Sequence, residues 1–378
     1  MPLPTPSLEA AGNNINSPAL YRDKSFEDLV SENQRTGIDG CGNEAWYISH
    51  SALKQHWEES EIAKVLDLHQ PPIAGCSRTI AESYLRVWSI LVFIGRPEFT
   101  DDFISANWDD VHLPMDPNSG PYRRVPTPAF TAVLEGFRQS QWPFFPVQFT
   151  KDRRMHKRKL DKRCVLPVVY DGTLTDHVAA STTTVVRKVQ LQEDCTDFPH
   201  RTVVFKEYQM AESREAWTKE VDALEVADNH CEHIVKYFGS FERDVKGVVI
   251  LEYANGGNLL DILKRNQQPR NLEQTKAFWE SLVAILQALD QLHHLRRTAQ
   301  SKTDQPSRIG CAHRDIKPSN ILVFEDQEGS PFKFRLKLAN FGATSEIQTI
   351  LASNSGRQDN DGSRTYCKFP RPELQGPS

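Results

Sequence analysis

The chain has 378 residues, 39% hydrophobic and 25% charged, with a net charge of −5. That length allows two domains, and the composition fits a soluble globular protein able to bury a core. The slightly acidic balance gives no sign of a nucleic-acid or membrane-surface protein. The seven cysteines (41, 76, 164, 195, 231, 311 and 367) form no Cys-x-x-Cys pair. This argues against zinc or a disulfide framework and for a reducing compartment. Residues Met1 to Ala10 lack the basic-then-apolar pattern of a secretory signal. The longest apolar run, Trp88 to Ile94 around Ser89, is too short to span a bilayer. There is no internal repeat.

Residues 1–45 are rich in Pro, Asn, Ser and Gly without an apolar period, and read as a disordered, mobile tail. Ser51 to His69 places Leu53, Trp57, Ile62, Val65 and Leu66 near helical spacing. A second helix begins at Thr79-Ile80-Ala81-Glu82, a capping-box pattern. It continues through Tyr84, Leu91 and Ile94, and Gly95 with Pro97 stops it. A third spans Ala129 to Phe137. The two prolines of Gln141 to Val147 then forbid regular helix. Residues 46–150 thus read as a small helical module whose aromatic residues are core before they are a ligand site. The basic run Lys151 to Arg163 reads as a linker (151–164), or as a nuclear-import or anionic-lipid patch.

From Val165 the pattern turns β-rich. Val165–Tyr170, Thr182–Leu191, Thr202–Tyr208 and Val248–Tyr253 read as strands. Ser213–Ala227 is helical by the spacing of Trp217, Val221 and Leu224. Asn271 opens a long amphipathic helix, with Gln274 placed to complete its cap. Phe278, Leu282, Ile285, Leu289 and Leu292 carry its apolar face. A polar insertion, Arg296 to Ser307, follows. Phe332–Leu338 reads as a strand pairing with Ile321–Phe324.

The chemistry concentrates in His313-Arg314-Asp315-Ile316-Lys317-Pro318-Ser319-Asn320. An acid, a cation and an amide sit at offsets of two and five along a loop that runs into an apolar strand. Phosphoryl transfer needs such a set: a carboxylate for the attacking hydroxyl's proton, an ammonium for the γ-phosphate, and an amide oxygen for Mg²⁺. The stretch resembles the catalytic loop of eukaryotic protein kinases, and Lys317-Pro318 resembles their serine/threonine branch. The resemblance covers residues from about 165 to 378. It implies an α+β, bilobal kinase-like fold with a β-rich small lobe and a helical large lobe, here residues 165–378. It also implies a catalytic set of Asp315 as base and Lys317 on the γ-phosphate, with Lys206 on the α- and β-phosphates paired to Glu220.

The resemblance extends to the nucleotide pocket. Leu251-Glu252-Tyr253-Ala254-Asn255-Gly256-Gly257 is similar to the hinge between lobes. The backbone of Glu252 and Ala254 would then hold adenine, and Val186, Val204 and Leu322 would sandwich it. Asn320 and Asn340 fall at the metal positions. Phe341 with His313 and Leu224 would form an internal apolar spine. Three features depart from the family. The glycines of the nucleotide loop are replaced at Ala179, Ser181 and Thr184, which hinders close approach of backbone amides to phosphate. Asn340 stands where Asp-Phe-Gly has its aspartate, keeping an oxygen but no charge. Arg371-Pro372-Glu373 resembles the Ala-Pro-Glu motif, near Thr365 and Tyr366, and the sequence stops at Ser378. The family's further helices would therefore be missing, and Leu282, Leu289 and Leu292 would lose cover.

The expectation is a serine/threonine protein kinase, a transferase that uses ATP and Mg²⁺ on a protein substrate. The alternative is a catalytically impaired pseudokinase acting as a nucleotide-binding or scaffold module. Neither nucleic acid nor membrane insertion is expected. The cytoplasm is the expected compartment, with the basic run as a possible route to the nucleus. The helical module is also similar to the leaders of fungal kinase-domain proteins.

Overall fold

β-branched and aromatic residues recur from Thr184 to Glu252, and they build a sheet with two buried faces. The computed structural model describes residues 22–69, 76–115, 128–151, 155–174, 184–227, 231–265, 268–293, 308–325 and 332–349.

The described chain begins with α1 (Lys24–Asn33), whose N-cap Asp23 accepts from the Phe26 amide. β1 (Arg35–Ile38) and β2 (Glu44–Tyr47) pair antiparallel. Then come α2 (His50–His56), α3 (Glu59–Leu68), α4 (Ser77–Ser83), α5 (Leu85–Phe93), α6 (Thr100–Ser105) and α7 (Pro128–Ser140). α5 is apolar almost all round, which makes it the centre of this helical layer.

Three expectations change here. Residues 24–45, expected in the mobile tail, are folded. Phe26 and Val30, one helical turn apart, are buried, and Ile38 and Leu166 exchange two backbone hydrogen bonds of 2.9 Å. The helix expected over Ser51–His69 divides at Trp57, whose ψ of 66° leaves the helical region. The next helix starts at Ser77 behind Cys76, so Thr79 lies within its first turn and not at the cap. It divides at Tyr84, and the Asp110 carboxylate accepts from the amides of Arg86 and Val87 at 2.9–3.0 Å. A cap supplied from 24 residues away leaves no local pattern in the sequence.

The sheet comprises β3 (Arg158–Leu160), β4 (Val168–Thr173), β5 (Thr184–Leu191), β6 (Thr202–Gln209), β7 (Tyr237–Arg243) and β8 (Lys246–Glu252), in the order β3-β7-β8-β6-β5-β4. All pairs are antiparallel except β3 with β7. Part of the basic run is therefore strand, and Lys157 also donates its amide to Ser240 Oγ at 2.9 Å. Residues 152–154 of that run lie outside the described residues.

α8 (Met210–Ala227) follows β6 and covers one face of the sheet with Trp217, Val221 and Leu224. Trp142, Val147 and Phe149, which follow α7, pack with Phe205, Phe241 and Ile250 on the other face. Side chains alternate along β6, so Val203 and Phe205 meet the segment that follows α7 while Val204, Lys206 and Tyr208 point to α8.

The remaining elements are α9 (Leu259–Lys264), α10 (Leu272–His293), β9 (Arg308–Ala312), β10 (Ile321–Glu325), β11 (Phe334–Leu338) and β12 (Ser345–Thr349). β10 pairs with β11 and β9 with β12, both antiparallel. Asn271 Oδ1 accepts from the Gln274 amide at 2.9 Å, and Gln274 Oε1 accepts from the Arg270 amide at 2.7 Å. The cap thus closes on Arg270, one residue before the expected position.

Leu282, Leu289 and Leu292, expected to lose cover, keep it in full only at Leu292 and in part at the other two. Leu292 is buried, and the other two pack against the same apolar cluster as Ile285 and Ala288. The exposed apolar residues of α10 are on its other side: Leu272 (86%), Trp279 (62%), Leu286 (62%) and Val283 (49%). Among the described residues no helix is long and apolar enough to cross a membrane.

Candidate active site

Lys206 reaches the space between the two lobes because it has the even parity of β6. Glu220 faces it from α8, one turn from both Trp217 and Leu224, and is fully buried. The Lys206 ammonium donates to Glu220 Oε1 at 2.9 Å and to Oε2 at 2.7 Å. Tyr208 Oη and the Phe341 amide also donate to this carboxylate. A buried charge needs such full pairing.

Asn340 closes the site from the other side. It sits after β11 with φ 70° and ψ 72°, a left-handed conformation that asparagine tolerates better than most residues. Its Oδ1 accepts from Lys206 Nζ at 2.8 Å, and its Nδ2 donates to Asn320 Oδ1 at 3.1 Å. Asn320 Nδ2 donates in turn to the Asp315 backbone oxygen at 2.7 Å and to Asp315 Oδ2 at 2.9 Å. Lys317 Nζ lies 2.9 Å from the same Oδ2. The hydrogen bond from Lys317, then that from Asn320, holds the Asp315 carboxyl below its ordinary value. Lys206, Glu220, Asp315, Lys317, Asn320 and Asn340 are thus brought into one hydrogen-bonded chain.

The loop is anchored from beneath by His313. Its ring packs edge-on to Phe341 at 5.0 Å, and its Nε2 lies 3.0 Å from the Ala339 carbonyl. The Asp315 amide donates to its Nδ1 at 3.3 Å. Both contacts fit a neutral imidazole with the proton on Nε2, and burial pushes its pKa down.

Val204 is buried in the apolar cluster between the lobes, and Val186 and Leu322 pack against it half-buried. At the hinge, the Glu252 amide already donates to Lys236 O at 3.0 Å. The Glu252 carboxylate accepts from the Lys236 amide at 2.6 Å and from Lys337 Nζ at 2.5 Å. Asn255 exchanges two bonds with the Glu325 backbone, and the Gly256 amide donates to Val323 O at 3.0 Å. The hinge is therefore stitched to β10, directly after the catalytic loop.

Tyr208 and Lys337 were not singled out from the sequence, and Asn255 was read only as part of the hinge stretch. Tyr208 could have been, since it lies two residues from Lys206 on one strand and must share its face. Ala179 and Ser181 of the nucleotide loop, Thr365, Tyr366 and Arg371 to Glu373 lie outside the described residues.

Residues 182–371, about half of the chain, match the family model described as the protein kinase domain. The chain belongs to the protein kinase family. Its β-rich lobe and helical lobe are the two lobes of the kinase fold. The kinase-family relatives it is similar to include a serine/threonine-protein kinase of Drosophila erecta, 32% identical over 124 residues, which are 33% of this chain and 14% of the relative. They also include the serine/threonine-protein kinase ppk11 of Schizosaccharomyces pombe, 30% identical over 140 residues, 37% of this chain and 36% of the relative. A probable serine/threonine-protein kinase of Dictyostelium discoideum, nek2, is 24% identical over 173 residues, 45% of this chain and 36% of its own. The match thus spans between 14% and 36% of these relatives' lengths.

Protein kinases generally use ATP with Mg²⁺. The donor set here does not fit that ion. The two residues expected at the metal positions, Asn320 and Asn340, are neutral amides, and Mg²⁺ is held mainly by carboxylates and phosphates. Both amide oxygens already accept hydrogen bonds, one from Lys206 and one from the other amide. Among the described residues no group of three or more His, Cys, Asp or Glu could hold a metal.

Proposed function

We propose that this chain is an ATP-binding kinase domain that transfers a phosphoryl group to serine or threonine hydroxyls of a protein. The observation that carries the reading is the single hydrogen-bonded chain from Glu220 and Lys206 to Asp315 and Lys317. In this reading Val186, Val204 and Leu322 hold the adenine ring, with the hinge backbone at Glu252 and Ala254 along its edge. Lys206, fixed by Glu220, neutralises the α- and β-phosphates. Asp315 is ionised at neutral pH and accepts the proton of the attacking hydroxyl, and Lys317 neutralises the transferred group. The kinase domain is assigned to residues 165–378, and the helical module of 46–150 is extended back to include α1.

A second reading, a nucleotide-binding scaffold without turnover, is favoured by the absence of a carboxylate at Asn320 and Asn340. Phosphate transfer from γ-labelled ATP to a generic protein substrate separates the two. The first reading expects incorporation that Asp315→Ala lowers by about a hundredfold or more, the usual scale for losing a general base. Incorporation no greater than in that variant, with ATP still bound, supports the second.

A further inference from the structure

The contact between Asn340 and Asn320 has a polarity that an amide supplies and an ionised carboxylate cannot. Asn320 is fixed in orientation, because its Nδ2 donates twice to Asp315. That leaves Oδ1 as the atom it presents to Asn340. Asn340 is fixed as well: its oxygen accepts from Lys206, so its NH₂ faces Asn320. Donors and acceptors therefore alternate along the whole chain, from Glu220 to Lys317. Its charges also close, with two ammonium groups, Lys206 and Lys317, against two carboxylates, Glu220 and Asp315.

A carboxylate at 340 would break this order. It has no proton to donate, and would put an acceptor about 3 Å from the Asn320 oxygen, where only a cation or a proton could reconcile them. An amide needs neither. It bridges the two oxygen positions by itself, within the same volume and in the same left-handed backbone conformation.

We infer that the Asn340 amide takes the place of a divalent cation in this cleft, so that the site is assembled, and takes adenine nucleotide, without a divalent metal. The nucleotide part rests on the proposed function; the assembly part does not. When phosphate arrives, Lys206 exchanges one neutral acceptor, Asn340 Oδ1, for an anionic one while keeping both bonds to Glu220. That exchange needs no metal.

Two measurements on the full chain test this. The first is calorimetric titration of ATP into the parent and Asn340→Asp, with excess Mg²⁺ and with excess EDTA. The parent should bind with the same affinity, within about twofold, in both conditions. Asn340→Asp should bind about tenfold or more tighter with Mg²⁺, since one close charge at intermediate dielectric exceeds the interaction that a factor of ten requires. A parent that itself gains tenfold from Mg²⁺ overturns the inference and leaves nucleotide binding standing.

The second measurement is the melting temperature of both proteins without nucleotide, in EDTA and in Mg²⁺ or Mn²⁺. The parent should not respond, and Asn340→Asp should be raised by the metal. Equal responses, or none in the variant, overturn the inference. If ATP binds under no condition, the proposed function fails, and the melting series alone still decides the metal question.

Discussion

Lys206 and Glu220 are one buried ion pair, and their value lies in what each does for the other. Glu220 has no exposure to solvent, and Lys206 supplies two of the four donors to its carboxylate. Lys206→Met should therefore lower unfolding free energy by about 3–5 kcal/mol, because it strands a buried charge. The double variant with Glu220→Leu should recover much of that loss. Urea denaturation of the single and double variants checks the sign, and a double variant as unstable as the summed singles would contradict the pairing.

His313 gives a pH signature of its own. Burial lowers its pKa in the folded state below the ordinary 6.5, so the unfolded chain takes up the proton first as pH falls. Its contribution to stability is complete above about pH 6.5 and is lost as pH drops from there through the folded value. The melting-temperature gap between the parent and His313→Gln should therefore narrow between pH 7 and pH 5. A constant gap would mean that the imidazole is not held neutral.

At the scale of elements, the geometry of the site depends on backbone stitching as much as on side chains. The hinge runs so close to β10 that a Cβ on Gly256 would stand 2.9 Å from both the Val323 carbonyl oxygen and its Cγ1. Gly256→Ala should cost about 1–3 kcal/mol, as overpacking usually does, measured by denaturant unfolding. An unchanged midpoint would show that the hinge can move away from the strand.

The same scale explains what was legible in the sequence. β5, β6, β8, α7 and α8 were read with ends within about three residues, since alternation and helical spacing are local signals. β3 and β7 were not read: Arg158–Leu160 is charged, and Tyr237–Arg243 carries Gly239 at φ 147°, where the Met155 backbone approaches too closely for a side chain. The break at Tyr84 was hidden for a similar reason, because its cap comes from Asp110. The site residues were named from a motif, which supplies identities and spacing. The order of donors and acceptors through Asn340 appears only when three distant segments meet.

On the whole-molecule scale, the segment that leads out of the helical layer packs on the kinase sheet, while the layer keeps an apolar core of its own. Trp142, Val147 and Phe149 cover the sheet face that backs onto Lys206, so the strand carrying this lysine is held from both sides. Lys206 comes from the sheet and Lys317 from the catalytic loop, and the fold brings them to opposite ends of one polar chain across the cleft. In the proposed function this cleft receives the phosphates of ATP. An acyl-phosphate derivative of ATP, which acylates lysine amines lying beside its phosphates, tests it without altering a residue. After incubation with the full chain and proteolysis, mass spectrometry should find the acyl group on Lys206 or Lys317, and excess ATP should abolish it. Acylation confined to other lysines, or unaffected by excess ATP, would contradict the account.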